Sequence, residues 1–439
     1  MPYEAGQRLP GERASRLGHL DVLKSPLVKQ LCETFEDTQF RYKEPPAKWQ
    51  AIPGGGDPLR IVFAVDGSLQ VIENELPPNK ALAFVKTALL RVDRTALDTI
   101  DRQFPHPYAI RDLMTDSALY HATVFPMRHV SVEGMNGYDA VRTAIFQSVN
   151  DASLEREPME TLKWIAYEKW DDTQKSLPAF ECPHCGDNGA TLPFDAERGP
   201  CPRCGNELLL TDMLGFHLDM SDEAASNSVA TAYMLIHETL LLFTGIRYYW
   251  NNRRDVLADC LFIKDGPLAM RAQYSKLVAP IRRFLQRARD EGVEVCLLGQ
   301  EKSGAFFDHL ALIGRGAPTG SIFVPGHEYI RAEIQYRPAN GAPYGKDTNY
   351  GSKVFLKLDE RHQSVLNIPT GEYAREPTVE DLIGKDRIFA TIPTLLSNQH
   401  EGALFPIELA HNVASLSTYP SAKVLSMFAE ATQQTKATP

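Results

Sequence analysis

The sequence predicts a mixed α/β fold interrupted by a small metal-binding insertion, and three observations carry that prediction. Ile61-Val62-Phe63-Ala64-Val65 ends in Asp66-Gly67-Ser68, and Cys260-Leu261-Phe262-Ile263-Lys264 ends in Asp265-Gly266-Pro267. Each reads as a buried strand that delivers an aspartate at its end and then turns on glycine, since short apolar runs beside Gly/Pro signals are typical of core strands. Between them lie two Cys-x2-Cys turns, Cys182/Cys185 and Cys201/Cys204, with 15 residues separating the pairs.

Taken in order, residues 1–57 form an N-terminal extension with a helix over Leu17 to Phe35, followed by a Pro/Gly-rich linker from Glu44 to Pro58. The first half of the α/β domain is 58–177. Within it, 59–74 reads as strand, turn, strand, Ala81 to Leu97 as a helix, Ala118 to Val132 as a strand, and Tyr138 to Asn150 as a helix. The cysteine insertion is 178–213, and the second half of the domain is 214–430. A long helix starts at Ser221, a good N-cap with Asp222 and Glu223 in the first turn, and runs to about Tyr249. The strand ending at Asp265 follows, then a basic helix from Pro267 to Glu291 and a strand from Val293 to Leu298. Ile330 to Ile334 and Lys353 to Leu358 read as strands, and a helical region begins at Val379. Residues 431–439 are polar, and a disordered tail is expected there.

Composition narrows the function. The chain has 439 residues, 43% hydrophobic and 23% charged, which is ordinary for a globular protein. The apolar stretch near Met234 to Ile246 is broken by His237 and Glu238, so no membrane span is expected. Met1 to Arg16 lacks the apolar core of a signal peptide, and a cytoplasmic protein is expected. The net charge of −10 argues against a chain coated in nucleic acid, although substrate binding needs only a local basic patch. Arg247, Arg253 and Arg254 form one such cluster, and Lys276, Arg282, Arg283, Arg287 and Arg289 another; solvated helix faces explain both equally well.

Tetrahedral zinc needs four soft ligands, and each Cys-x2-Cys turn supplies two on one tight loop. Cys182, Cys185, Cys201 and Cys204 therefore predict a structural Zn²⁺ ribbon with a closed shell. His184 is a competing ligand, expected to point outward. Cys260 and Cys296 lie in apolar runs and read as core residues.

Aspartates at strand ends of an α/β sheet sit where ligands bind, and two together suggest Mn²⁺ or Mg²⁺ and phosphate chemistry. A third ligand is offered by Glu238, framed by Met234, Leu235, Leu241 and Leu242 at helical spacing. A carboxylate among apolar residues is costly unless it is paired or binds a cation. The alternative is a buried Glu paired with an Arg. Glu223 is explained by its place in a helix first turn.

Together these runs resemble the NurA nuclease family, whose fold is similar to ribonuclease H and the Argonaute PIWI domain. The resemblance rests on Val65-Asp66-Gly67-Ser68, on Lys264-Asp265-Gly266-Pro267-Leu268 with its basic helix, and on the strand leading to Glu301-Lys302-Ser303. Arg331-Ala332-Glu333 is similar to an Arg-x-Glu strand, and Leu404-Phe405-Pro406-Ile407-Glu408-Leu409-Ala410-His411 to a Tyr-Pro…Ala-His segment, the whole spanning about 59–420. What the resemblance implies is a ribonuclease H-like mixed sheet flanked by helices and carrying the inserted four-cysteine zinc ribbon. It implies a metal-dependent DNA nuclease, often manganese-preferring, acting as a homodimer beside HerA, a hexameric DNA-translocating ATPase, in end processing or antiphage defence. Asp66, Glu238 and Asp265 would hold the metal, His411 would stand near it, and Lys302 or Arg331 would neutralise phosphate. On the residues alone, a satisfied buried histidine is the preferred reading of His411, and Glu333 is either a further ligand or, as preferred, the ion-pair partner of Arg331. The zinc ribbon lies outside the family's minimal pattern, and Phe405 stands where the family has Tyr. The competing class is a non-catalytic zinc-ribbon DNA-binding or scaffold subunit; a second is another ribonuclease H-like enzyme acting on RNA. No Walker A run is present, so ATP hydrolysis would belong to a partner.

Overall fold

Two units divide the chain, Met1–Glu44 and Pro45–Pro439. The computed structural model describes residues 22–35, 47–73, 80–97, 100, 106, 108, 118–130, 132, 134–171, 173–220, 227–338, 340–397, 402–416 and 421–434. The first unit contributes α1 (Pro26–Thr34), whose N-terminus is capped by Ser25 accepting from Val28 N. The start expected for this helix at Leu17 lies outside the described residues.

In the second unit β1 (Gln50–Ala51), β2 (Ile61–Glu73), β3 (Ala81–Asp93) and β4 (Ala118–Arg128) are followed by α2 (Gly137–Val149) and α3 (Glu157–Ala166). The ribbon strands β5 (Arg198–Pro200) and β6 (Glu207–Leu209) precede the long helix α4 (Asn227–Asn252). Then come β7 (Cys260–Asp265), α5 (Val278–Asp290), β8 (Cys296–Glu301), α6 (Ala305–Ile313), β9 (Ser321–Phe323), β10 (Ser352–Lys357) and β11 (Gln363–Ile368). The chain closes with α7 (Lys385–Thr391), α8 (Phe405–Ala414) and α9 (Ser421–Gln434).

Nine of the strands make one mixed sheet in the order β1-β9-β10-β11-β8-β7-β2-β3-β4. β2, β3 and β4 are an antiparallel meander, and β7 and β8 add in parallel to the other side of β2. That is the ribonuclease H-like order. Helices cover both faces. On one, Phe63 stacks on Phe262 at 5.0 Å, and Gly245 of α4 comes so close that an added Cβ would lie 3.2 Å from the Phe262 ring. On the other, α8 lies over Val62, Ala64, Leu261 and Ile263, all buried. α4 is long and apolar enough to cross a membrane by length and composition, but 72% of its apolar window is buried in this core.

Several expectations are corrected. Ala81 to Leu97 is not a helix; β3 occupies most of it, with Ala81, Ala83 and Val85 inward and 13 residues paired to β2. Its Ala and Leu content suits a helix, but the pairing outweighs that weak preference. The turn expected at Asp66-Gly67 is absent, because β2 runs on to Glu73. Ile330–Ile334 is a π-helical turn rather than a strand, so Arg331 and Glu333 do not share a strand face. The strand placed at Val293 to Leu298 is shifted to Cys296–Glu301 by its pairing of Cys296 with Leu261. The expected basic helix begins later, at Val278, after a 3-10 segment. α9 extends to Gln434, past the start expected for a disordered tail, and the N-cap expected at Ser221 lies outside the described residues.

Candidate metal centre

The parallel pairing of β2 with β7 runs from Ile61↔Cys260 to Val65↔Lys264 and then stops, while β2 continues against β3 alone. Asp66 and Asp265 sit one residue beyond the last pair, at the point where the sheet splits. Strand alternation puts both on the α8 face with Ala64 and Ile263. After Asp265 the chain does turn sharply, with Gly266 at φ +88°.

Asp66 is buried. Its Oδ1 accepts from Gly67 N at 2.7 Å, and its Oδ2 pairs with Nδ1 of His411 at 2.7 Å. Burial pushes the Asp66 carboxyl up and Asp265 pushes it further, while His411 and the Gly67 N–H pull it back; the net result is upward. Asp265 is partly open to solvent, and its Oδ2 accepts from Lys302 Nζ at 3.1 Å. The His411 side chain, on α8, is 55% exposed.

Glu238 approaches from the α4 face. It is fully buried, with Oε2 on Lys264 Nζ at 2.5 Å. Its Oε1 is level with Gly67, where an added Cβ would lie 2.6 Å from that oxygen and from Met234 Cγ. Gly67 thus serves a close approach rather than a turn. Burial drives the Glu238 carboxyl up to about 7 against the pull of Lys264, and Asp66 and Asp265 add to the rise. Burial pulls Lys264 down, yet Glu238 outweighs it and the ammonium ends above its ordinary value. The anticipated counter-ion of Glu238 is therefore a lysine, not an arginine.

Arg331 is not drawn to these carboxylates; its guanidinium donates to Gln335 Oε1 and to the carbonyl of Ala342. Two residues escaped the sequence reading. Lys264 passed as the end of an apolar strand, although a lysine inside such a run is itself a signal of a buried partner. Glu408 has both carboxylate oxygens buried without a hydrogen-bond partner, one turn before His411 on α8. Its Glu-x-x-His spacing puts the two on one helix face and was legible in the sequence.

The donor set has the chemistry of a divalent-cation site, though not closed around one point. Asp265 raises the Asp66 carboxyl, both raise that of Glu238, and hard carboxylate oxygens suit Mn²⁺ or Mg²⁺. Among the described residues these carboxylate oxygens do not meet within 4.8 Å; the one group that does is Cys182, Cys185, Cys201 and Cys204. There, Sγ atoms of Cys182 and Cys204 lie 3.9 Å apart, as do those of Cys185 and Cys201. His184 is turned away, with Nε2 3.0 Å from the Glu207 carbonyl. The ribbon is tied to α2 by Arg142, which donates to both oxygens of Asp212 at 3.0 and 2.8 Å.

No protein-family model and no curated protein matches the chain. Solved structures do. The NurA nuclease from Sulfolobus solfataricus is 10% identical, with 95% of this chain and 96% of that one covered and a TM-score of 0.33. A NurA with manganese is 11% identical over 91% and 95%, with a TM-score of 0.25. A NurA bound to dAMP and manganese is 11% identical over 92% of each chain, with a TM-score of 0.27. Over nearly its whole length, then, the chain is similar to solved NurA structures.

Proposed function

We propose that this chain is a divalent-metal-dependent deoxyribonuclease of the NurA type, cleaving phosphodiester bonds at DNA ends. The observation that carries the reading is the pair Asp66 and Asp265, side by side where β2 and β7 part, with Glu238 on the α4 face close enough for both to raise its carboxyl, so that Asp66 and Glu238 are each held above their ordinary values. Acidic groups crowded into a site at such a cost are those a cation relieves.

Asp66, Asp265 and Glu238 hold the ion in this reading. Bound there, Mn²⁺ or Mg²⁺ supplies Lewis acidity toward the attacking water and the leaving 3′ oxygen. Asp66 fixes the His411 ring through Nδ1, which leaves Nε2 to hold or pass a proton at the substrate. Lys302, beside Asp265, neutralises phosphate charge. Cys182, Cys185, Cys201 and Cys204 bind a structural Zn²⁺. We further propose a cytoplasmic homodimer that works with a HerA-type hexameric translocase in end repair or antiphage defence.

Asp66→Ala and Asp265→Ala should each abolish Mn²⁺-dependent degradation of linear DNA while keeping the fold, and full activity in either variant overturns the assignment. A second reading, a non-catalytic DNA-binding or scaffold subunit, is favoured by the lysines that already occupy Glu238 and Asp265. Absence of Mn²⁺ binding in the intact chain, with Asp66→Ala indistinguishable from it, would select that reading.

A further inference from the structure

We infer that Glu408 of α8 is a further carboxylate ligand of the divalent-cation centre, joining Asp66 and Asp265 from the helix above them. The inference rests on the nuclease reading and adds to it a ligand on the α8 side of the sheet.

Its place follows from where α8 touches the sheet. Asp265 pairs with Gln300 of β8, and Asp66 stands level with Asp265, one residue beyond Val65↔Lys264. Gln300, Asp265 and Asp66 thus form a row across β8, β7 and β2. α8 lies along that row. At its start Leu404 N donates to Gln300 Oε1 at 3.2 Å, further on His411 Nδ1 meets Asp66 Oδ2 at 2.7 Å, and near its end the Val413 carbonyl accepts from Lys86 of β3. The seven residues from Leu404 to His411 rise about 10 Å, which matches the two strand spacings, about 10 Å, from β8 to β2. Glu408, four residues on from Leu404, therefore stands at the level of β7, whose last residue is Asp265. Glu408 and His411 share a helix face, and the His411 contact shows that this face looks toward the aspartates.

The chemistry of Glu408 calls for a cation. Both of its carboxylate oxygens are buried, and neither has a hydrogen-bond partner among the described residues. A buried carboxylate in that state is unfavourable until it is paired or binds an ion. The ammonium groups of this region are committed elsewhere: Lys302 to Asp265, Lys264 to Glu238, and Lys86 to the Val413 carbonyl. Glu238 lies on the other side of the sheet with one oxygen held by Lys264. Glu408 shares the α8 side with Asp66 and Asp265 and has both oxygens to offer. Three carboxylates on one side supply the oxygen ligands that Mn²⁺ or Mg²⁺ takes together with water and phosphate.

The test uses the full zinc-loaded chain and Mn²⁺ alone, without DNA. Free Mn²⁺ gives a sharp electron paramagnetic resonance signal that is lost on binding, so a titration reads affinity directly. Glu408→Gln keeps the size of the side chain and removes its charge; it should raise the Kd for Mn²⁺ at least about tenfold. Glu408→Asp keeps a carboxylate and should lose less. Circular dichroism and zinc content control for folding. Crystals of the unaltered chain soaked in Mn²⁺ give a check that needs no variant: anomalous density should lie about 2.0–2.6 Å from a Glu408 oxygen. Binding of Mn²⁺ by Glu408→Gln within twofold of the parent overturns the assignment, as does an ion held by Asp66 and Asp265 with Glu408 outside that range. If Asp66→Ala loses Mn²⁺ while Glu408→Gln keeps it, only this ligand fails; if the parent takes up no Mn²⁺, the nuclease reading itself fails.

Discussion

Glu238→Gln should make the protein more stable at pH 8, and the expected size follows from the structure. The Glu238 carboxyl is fully buried and titrates near about 7 instead of its ordinary 4.5. At 1.36 kcal/mol per tenfold change, that corresponds to about 3 kcal/mol. The folded value lies above the unfolded one, so the folded chain holds this proton more tightly. Stability is therefore fullest below about pH 4.5 and is lost as pH rises toward 7. Glutamine is close in shape to the protonated acid and skips that loss. Urea unfolding in buffer without added divalent metal should find variant and parent equal near pH 4.5. By pH 8 the variant should lead by about 3 kcal/mol. Saturating Mn²⁺ should narrow the gap, since an ion at 100 times its Kd adds about 2.7 kcal/mol to the chain that binds it. The opposite result refutes the reasoning. If Glu238→Gln is about 3–5 kcal/mol less stable at pH 8, Lys264 was its structural counter-ion and has been left buried and unpaired.

Arg142→Ala should strand Asp212, which is buried and takes two bonds from that guanidinium; a lower urea midpoint, worth about 3–5 kcal/mol, would register it. Gly67→Ala puts a methyl 2.6 Å from Glu238 Oε1 and Met234 Cγ, and chemical denaturation should show a cost of about 1–3 kcal/mol. Cys185→Ser should lower zinc content, measured by a colorimetric chelator after unfolding, from about one ion per chain to none and reduce the melting temperature; unchanged zinc content would remove Cys185 from the shell.

Much of this architecture could be read from the chain because single residues carried strong local signals. The Cys-x2-Cys pairs needed only their spacing. The apolar runs ending at Asp66 and Asp265 marked the two central strands, and Gly266 turned as expected. What failed was whatever depended on a partner distant in sequence. Ala81–Asp93 is rich in helix formers and became a strand because β2 and β4 flank it on both edges. Gly67 looked like a turn because a Gly after Asp usually makes one; its role is set by Glu238, 171 positions later in the chain. Lys264 was invisible as an ionic group until α4 was laid against its strand. The Arg331-Ala332-Glu333 match fell in a π-helical turn, where two-residue spacing no longer means a shared face.

The position of the candidate centre follows from unequal strand lengths. β2 is 13 residues long and β7 is 6, and they start together at Ile61↔Cys260. Beyond Val65↔Lys264 the flank of β2 has lost its parallel neighbour. A continuous sheet would separate the α4 face from the α8 face, leaving Glu238 on one side and Asp66 and Asp265 on the other. At the split, Asp66 and Asp265 act across the sheet on the Glu238 carboxyl, and a glycine at 67 removes the side chain that would press on its Oε1. Lys264, the last residue of the paired stretch, points toward α4 and meets Glu238 there. Its Nζ also donates to the Asp265 carbonyl at 3.1 Å, which ties the buried carboxylate to the strand that carries the second aspartate. Gly266, at φ +88°, and Pro267, which has no backbone N–H to give a ladder, end β7 immediately after its aspartate and so fix where the split begins.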